Sequence, residues 1–295
     1  MAQISTCPPF QLFNLLNQCS SVSRLAEINY LCLIDARETD DYRMSHILTA
    51  KNAKMDSKGT FLLPEDVEVD SMQHVVVYDS NTTFLQGQGR AVKCAQELAK
   101  ASLYPVLIVG GGFQRFSALY PFLCTEKILY TVTELENLKT YPVEILAALL
   151  YMGDEKQGMD PSILQDLKVS VVIGISESNN LESIQGITSI THFPLADSVG
   201  ADLYSSLESI CSVIGTHMDT GSCVLMVSRN GRSRCSAVAI AFLMRHLKYT
   251  LEEAWKYVLK RKPNVRPNTG FLQQLSDWEL HLIGQKVTDI SGPHF

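Results

Sequence analysis

The sequence predicts an α/β protein of two tandem domains, each built on a mostly parallel β-sheet with helices. Its 295 residues suffice for two domains of roughly 150 residues each. Short apolar runs without polar alternation occur in both halves, a pattern typical of parallel strands that are covered on both faces. Stretches of helical composition separate these runs, and this order favours right-handed crossovers between parallel strands.

The first half begins with a predicted helix. After a pair of prolines, the apolar residues Phe10, Phe13 and Leu16 suit a helix that faces the core. Residues 1–26 lack Asp and Glu, as a mitochondrial transit peptide would, but they contain a single basic residue, so the core-facing helix is preferred. The elements predicted after it are strands over Leu31–Asp35 and His74–Asp79, a helix over Gly89–Lys100 and a strand over Pro105–Gly110.

The second half repeats this alternation after a weaker pattern around residues 123–141. The alternation of strands and helices restarts at Val143–Met152. Asp160-Pro161 has the residue types of an N-cap and a first helical position, which predicts the start of a short helix. Thr250 and Glu253 have the spacing of a capping box and predict the start of another helix. The further elements are strands over Lys168–Ile175 and Ser222–Val227, and helices over Ala201–His217, Ser233–Leu247, 250–262 and around the stripe Phe271, Leu275, Trp278 and Leu282. We therefore predict a first domain over 1–124, a linker over 125–140, a second domain over 141–284 and a tail over 285–295.

Composition excludes several classes of function. Acidic residues outnumber basic ones, 31 to 25, for a net charge of −6, which argues against a nucleic-acid or membrane binder. The longest apolar run, Ser236–Met244, falls far short of the roughly 18 residues that span a bilayer. Eight cysteines contain no Cys-x-x-Cys pair, so neither metal nor disulfides are expected, and no cofactor is implied. Reduced thiols predict an intracellular protein, in the cytoplasm or the mitochondrion.

The segment between the strand Ser222–Val227 and the helix Ser233–Leu247 carries the strongest functional signal. A glycine-containing loop before a helix N-terminus can point its backbone N–H groups at an anion, and Arg234 can add a two-pronged contact to phosphate. An ordinary connection with solvated arginines is the alternative. The predicted phosphate-binding residues are Ser228, Arg229, Asn230, Gly231, Arg232, Ser233 and Arg234.

Residues from about 141 to 284 resemble the dual-specificity protein phosphatases. Besides the loop, the landmarks that carry this resemblance are 142–146, 151–153, Phe193–Asp197, 241–244, 253–258 and Pro267–Phe271 with Gln274-Leu275. The family signature is His-Cys-x5-Arg, and Gly231, Ser233 and Arg234 match it. Val227 and Ser228 occupy its histidine and cysteine positions. Asp197 matches the position of the general acid in that family, with a loop residue or helix cap as the alternative.

Loss of the cysteine removes the attacking group. A cysteine at a helix N-terminus beside arginine is readily ionised, whereas the Ser228 hydroxyl is not, and the loop contains no general base. Cys235 enters the predicted helix and Cys223 lies near the start of the strand, so both are expected to pack in the core. No catalytic residue is therefore predicted: Val227, Ser228 and Asp197 are degenerate positions.

Residues from about 10 to 124 resemble a rhodanese-like domain, on Leu33–Arg37, Tyr42, His46-Ile47 and Gly111–Phe116. An active rhodanese forms a persulfide on a cysteine at the end of the strand here predicted over His74–Asp79. Asp79 stands at that position, so sulfur transfer is not expected. Asp35, Arg37 and His46 are predicted to form a structural polar cluster at the end of a strand, because paired charges near sheet ends are usually structural. A catalytic role for them is the alternative.

The order of the two domains resembles the mitogen-activated protein kinase phosphatases, and the absence of both nucleophiles resembles their inactive relatives. That resemblance implies a non-enzymatic regulator in stress, mitochondrial or kinase signalling. Its partners would be proteins, including phosphorylated ones held at the loop, active phosphatases or kinases. Lys51, Lys54 and Lys58 lie where active members dock kinases, but they are spread out around Asp56, which favours a solvated loop.

Two alternatives stay open. The first is a weak protein phosphatase that uses Ser228 or a nearby thiol. The second is a binding protein whose partners contact a surface other than the loop.

Overall fold

The computed structural model describes residues 2–129, 131–179, 181, 186–292 and 295. The chain divides into two compact units, residues 1–140 and 141–295, and the predicted α/β class with parallel sheets is confirmed. Within the predicted linker and tail, Tyr130, Pro293 and His294 lie outside the described residues. None of the helices in the described ranges has the length and apolar character needed to cross a membrane.

The first unit contains seven strands and five α-helices among its described residues. In chain order they are β1 Ile4–Cys7, α1 Pro9–Leu16, β2 Leu31–Asp35, α2 Thr39–Met44, β3 His46–Ile47, β4 Lys51–Asn52, β5 His74–Tyr78, α3 Arg90–Ala101, β6 Val106–Val109, α4 Gly112–Leu119, β7 Cys124–Thr125 and α5 Val132–Glu136.

The sheet of the first unit has the order β1-β6-β5-β2-β4, and every pair in it is parallel. Val75, Val76 and Val77 of the central strand β5 are fully buried, as the apolar run predicts. The predicted strand Leu31–Asp35 has the same bounds as β2. The segment predicted as a linker includes half of β7 and a short helix, α5, which Thr131 and Glu134 open with a capping box.

The second unit contains five strands and six helices among its described residues. They are β8 Val143–Leu146, β9 Leu150–Asp154, α6 Glu155–Met159, α7 Pro161–Asp166, β10 Val171–Ser176, β11 Ser189–Pro194, α8 Tyr204–Asp219, β12 Val224–Ser228, α9 Arg234–Leu247, α10 Leu251–Arg261 and α11 Thr269–Ile283.

The sheet of the second unit places the strand before the loop at its centre. Its order is β11-β10-β12-β9-β8, parallel except for the β8–β9 hairpin, which replaces the single restart predicted over Val143–Met152. Helix α9 follows β12 and is buried from Arg234 to Met244. This helix packs against α8, α10 and α11, so both ends of the loop are attached to the core.

The predicted tail is attached to the second unit through a buried carboxylate. Glu279 of α11 accepts hydrogen bonds from the backbone N–H of Leu251, Val287 and Thr288, at 2.8, 3.0 and 3.0 Å, and from the Thr288 hydroxyl at 2.7 Å. Burial alone would raise the pKa of Glu279, but these donors outweigh it and hold the pKa below its usual range. The segment therefore belongs to the folded unit, and Phe295 also packs on Trp255, with ring centroids 5.1 Å apart.

Candidate functional site

The predicted phosphate-binding loop lies at the carboxyl end of the central strand β12. Ser228 is the last residue of that strand and pairs with Asp154 of β9, and Arg234 is the first residue of α9. The loop proper is therefore shorter than predicted, with Ser233 at the N-cap position. In parallel sheets, ligands bind at this edge, outside the carboxyl ends of the strands.

Gly231 allows the loop to turn against β9. Its φ is +59°, in the left-handed region, and its N–H donates to the carbonyl of Ser228 at 3.1 Å. A Cβ atom at this position would lie 2.6 Å from the carbonyl oxygen of Gly153. Both the backbone conformation and the available space therefore require glycine here.

Arg234 is buried, with 6% of its surface exposed. Its Nη1 donates to the carbonyl of Leu195 at 3.0 Å. Its Nε is buried and has no hydrogen-bond partner among the residues that the structure describes. Buried polar groups are rarely left without partners, and an oxyanion is the acceptor that a guanidinium binds most strongly.

Ser228 and Val227 occupy buried positions beneath the loop. Ser228 is 2% exposed and lies beside the Cys235 thiol, which donates to the Gly153 carbonyl at 3.8 Å. Val227 is fully buried and packs so closely on α6 that a Cβ atom on Gly158 would lie 2.8 Å from Val227 Cγ1. Neither side chain is a general base.

The two thiols nearest in sequence to Ser228 are held in their protonated form. Burial raises the pKa of Cys235 to about 12, although the hydrogen bond with Ser228 and the charge of Arg234 lower it in part. Burial also raises the pKa of Cys223 to about 12. Because the thiolate is the nucleophilic form, neither cysteine is suited to attack phosphorus near neutral pH.

Asp197 lies close to the N-terminus of α9. Its Oδ1 accepts hydrogen bonds from the Ser233 hydroxyl at 2.6 Å and from Asn268 Nδ2 at 3.0 Å. Sequence reasoning identified Asp197 and Ser233 but not Asn268. Asn268 directly precedes Thr269, the first residue of α11, and asparagine is a favoured residue at that N-cap position. Its side chain caps α11 by accepting from the N–H of Phe271.

The remaining predicted residues lie at the rim of the loop. Arg229 and Asn230 are exposed. The Nε of Arg232 donates to the carbonyl of Asn264 at 3.1 Å, and its own carbonyl accepts from the N–H of Arg266 at 2.8 Å. The structure thus brings Ser228, Ser233, Arg234 and Asp197 together, while Arg229 and Arg232 add positive charge at the surface.

In the first unit, Asp79 fills the loop where a rhodanese would carry its cysteine. Its Oδ1 accepts from the N–H groups of Asn81 and Thr82 at 3.1 and 2.8 Å. Its Oδ2 accepts from the Thr82 hydroxyl at 2.6 Å and from the N–H of Ala91 at the start of α3 at 2.9 Å. Because these N–H and O–H groups donate to the Asp79 carboxylate, they are not available to bind an external anion.

Asp35 and Arg37 form a buried ion pair. Arg37 Nη2 lies 2.6 Å from Asp35 Oδ2 and donates to the Ser45 carbonyl, and the guanidinium carbon is 3.8 Å from the centre of the Phe113 ring. His46, predicted as part of this cluster, instead stacks on Tyr42, and its Nδ1 lies 3.0 Å from the Tyr42 carbonyl oxygen.

Of Lys51, Lys54 and Lys58, the first two lie close to carboxylates. Lys51 pairs with Asp66, and Lys54 lies 4.0 Å from Glu65, while Lys58 is exposed. These residues, except Lys58, line a cavity of about 460 Å³ together with Ile34 and Leu98 of the first unit. Within the described ranges, no cluster of histidine, cysteine and acidic residues could hold a metal ion.

Comparison with known families matches both units. Residues 150–281 match the family described as dual specificity phosphatase, catalytic domain, and residues 20–119 match the rhodanese-like domain. Human dual specificity protein phosphatase 16 is 27% identical over 283 residues, which cover 88% of this chain and 42% of that protein. The chain therefore spans less than half of the length of this relative.

Two further relatives each match just under half of the chain. The tyrosine-phosphatase-like protein 123R of Invertebrate iridescent virus 6 is 31% identical over 130 residues, which cover 44% of this chain and 87% of that protein. The crystal structure of the human tyrosine phosphatase-like serine/threonine/tyrosine-interacting protein is 25% identical, with a TM-score of 0.44, covering 48% of this chain and 96% of that one.

Proposed function

Because the chain belongs to the dual-specificity phosphatase family, and its second unit carries serine at the position of the nucleophile, we propose that it is a non-catalytic member. In this proposal the chain acts as an intracellular regulator that binds proteins, and the loop 228–234 holds a phosphorylated side chain of a partner without hydrolysing it. Kinases and phosphatases of stress signalling are the proposed partner classes, in the cytoplasm or the mitochondrion.

Ser228 carries the proposal of inactivity. A serine hydroxyl attacks phosphorus only when an adjacent base removes its proton. The neighbours of Ser228 described above are the protonated thiol of Cys235, the apolar side chain of Val227 and Asp154 of β9. The Asp154 carboxylate caps α6, where it accepts from the N–H of Gln157 at 2.8 Å. Removing a nucleophile has cost on the order of 10⁶ in turnover in a well-studied hydrolase, which is enough to abolish measurable signalling by catalysis.

Arg234 supports the proposal of phosphate binding. Its buried Nε lacks an acceptor among the described residues, and the loop sits at the N-terminus of α9, where the helix dipole favours anions. A thiolate at position 228 would repel phosphate by about 4 kcal/mol at contact, for an effective dielectric constant near 20. The neutral hydroxyl of Ser228 removes this repulsion, so the loop can favour binding over turnover.

Titration calorimetry with a phosphopeptide tests the binding proposal. We expect wild type to bind a phosphotyrosine or phosphothreonine peptide and not its unphosphorylated form. Arg234→Ala should weaken binding at least about tenfold, because a charge-assisted contact is worth about 1.5–3 kcal/mol. The exposed Arg229 offers a matched control, Arg229→Ala, which should change the affinity much less.

Thermal denaturation of each variant shows whether the buried Arg234 can be replaced without unfolding. If Arg234→Ala does not fold, Arg234→Lys can be used instead. This variant keeps the positive charge but cannot make the two parallel hydrogen bonds of a guanidinium to phosphate, so it should still weaken binding. Equal affinity for phosphorylated and unphosphorylated peptides in wild type would contradict the proposed role of the loop.

A further inference from the structure

We propose that Asp197 is a built-in counter-ion of the phosphate-binding loop, and that helix α11 holds it there and so limits the affinity for phosphate. In this view Asn268 is a positioning residue that acts through Asp197. The inference rests on the proposed phosphate binding at the loop and describes how that binding is regulated.

The first step is the position of the carboxylate. Asp197 Oδ1 lies 2.6 Å from the Ser233 hydroxyl. Ser233 is the N-cap residue of α9 and directly precedes Arg234. The carboxylate therefore lies at the N-terminus of α9, the positive end of the helix dipole, where an external phosphate would also bind.

The second step is the attachment of Asp197 to α11. Asn268 Nδ2 donates to the same carboxylate oxygen at 3.0 Å, and Asn268 is itself fixed as the N-cap of α11. A Cβ atom on Gly270 would lie 2.0 Å from the carbonyl oxygen of Val199, so α11 and the segment after Asp197 are in close contact. Gln274 Oε1 also accepts from the N–H of Leu203 at 2.8 Å.

The third step links this segment to Arg234. The carbonyl of Leu195, two residues before Asp197, accepts from Arg234 Nη1 at 3.0 Å. The Nη1 atom of the guanidinium thus binds the segment that carries Asp197. The buried Nε atom has no hydrogen-bond partner among the described residues. A phosphate bound at Arg234 would therefore lie near a fixed negative charge.

Binding of inorganic tungstate, measured by calorimetry on the full chain, tests this inference. Asp197→Asn removes the charge but keeps an oxygen that can accept from Ser233 and Asn268. We expect it to bind tungstate about fivefold or more tightly than wild type at low salt. Asp202→Asn is the matched control: it removes the same charge from the same segment, and Asp202 contacts Ser205 instead of the loop. Its affinity should equal that of wild type.

Two further measurements separate an electrostatic role from a structural one. The gain from Asp197→Asn should disappear near 1 M salt, where the Debye length is about 3 Å. Asn268→Ala should raise the affinity in the wild-type background and have no effect when Asp197→Asn is present. Additive effects of the two substitutions, or a gain that persists at high salt, would overturn the inference.

The outcomes also separate this inference from the proposed function. In one outcome, wild type binds tungstate, Arg234→Ala abolishes the binding, and Asp197→Asn has the same affinity as Asp202→Asn. The proposed phosphate binding would then be supported, and the proposed role of Asp197 would be wrong. If the folded wild type and the folded Asp197→Asn variant both fail to bind tungstate, the loop is not an anion site and both proposals fail. Binding by Asp197→Asn alone supports Asp197 as the group that blocks the site.

Discussion

Substituting Ser228→Cys together with Cys235→Ser should create measurable hydrolysis of an aryl phosphate. The new thiol would lie at the N-terminus of α9 beside Arg234, which favours its ionised form. Cys235→Ser keeps a hydrogen-bonding neighbour and removes a thiol that could form a disulfide with the new one. A nucleophile raises the rate of hydrolysis by a factor on the order of 10⁶. Imperfectly placed acid and base groups lower that rate by a factor of roughly 10²–10⁴, so the expected net increase in rate is about 10²–10⁴.

Val227→His is left out of this design for a structural reason. Val227 is fully buried against Gly158 of α6, so an imidazole would overpack the strand at a cost of about 1–3 kcal/mol. Cys235→Ser alone is the matched control and should remain inactive. If the double variant is folded and neither reacts with iodoacetamide near pH 7 nor hydrolyses the aryl phosphate, the pocket has lost more than its nucleophile.

Asp35→Asn should strongly destabilise the first unit. Asp35 is fully buried and Arg37 is 7% exposed, and Asp35 accepts from Arg37 Nε at 3.0 Å and Nη2 at 2.6 Å. Removing the charge of one partner leaves the other buried without compensation, which typically costs about 3–5 kcal/mol. We expect calorimetry to show a melting transition of the first unit lowered by roughly 10–20 °C.

The matched control for this change is Asp40→Asn. Asp40 is exposed and lies 3.8 Å from Arg43, a surface pair worth about 0–1 kcal/mol. Adding Arg37→Met to Asp35→Asn should recover part of the lost stability, because it removes the uncompensated charge. Equal melting of Asp35→Asn and Asp40→Asn would show that the pair contributes little to folding.

The buried central strands could be predicted because each of them is a continuous run of apolar residues. Leu31–Asp35 and His74–Tyr78 lie inside the first sheet, where both faces are covered. The strands that were missed are at the edges. Ile4–Cys7 and Ser189–Pro194 are half-buried for most of their length and mix polar and apolar residues, so their composition does not distinguish them from loops.

The site could be predicted in part, for a similar physical reason. The loop 228–234 is local in sequence, so its glycine, arginine and helix N-terminus are visible together. The contact between Asp197 and Asn268 joins residues 71 positions apart, and no local pattern indicates it. The commitment of Arg234 to the Leu195 carbonyl also depends on the packed structure.

The inactivity of Ser228 is tested by comparing wild type with Ser228→Ala in aryl phosphate hydrolysis, with intact-mass analysis of the protein during the reaction. We expect equal, background release of phosphate by both proteins and no phosphorylated side chain. Release by wild type that Ser228→Ala abolishes, or a phosphoryl adduct on Ser228, would contradict it.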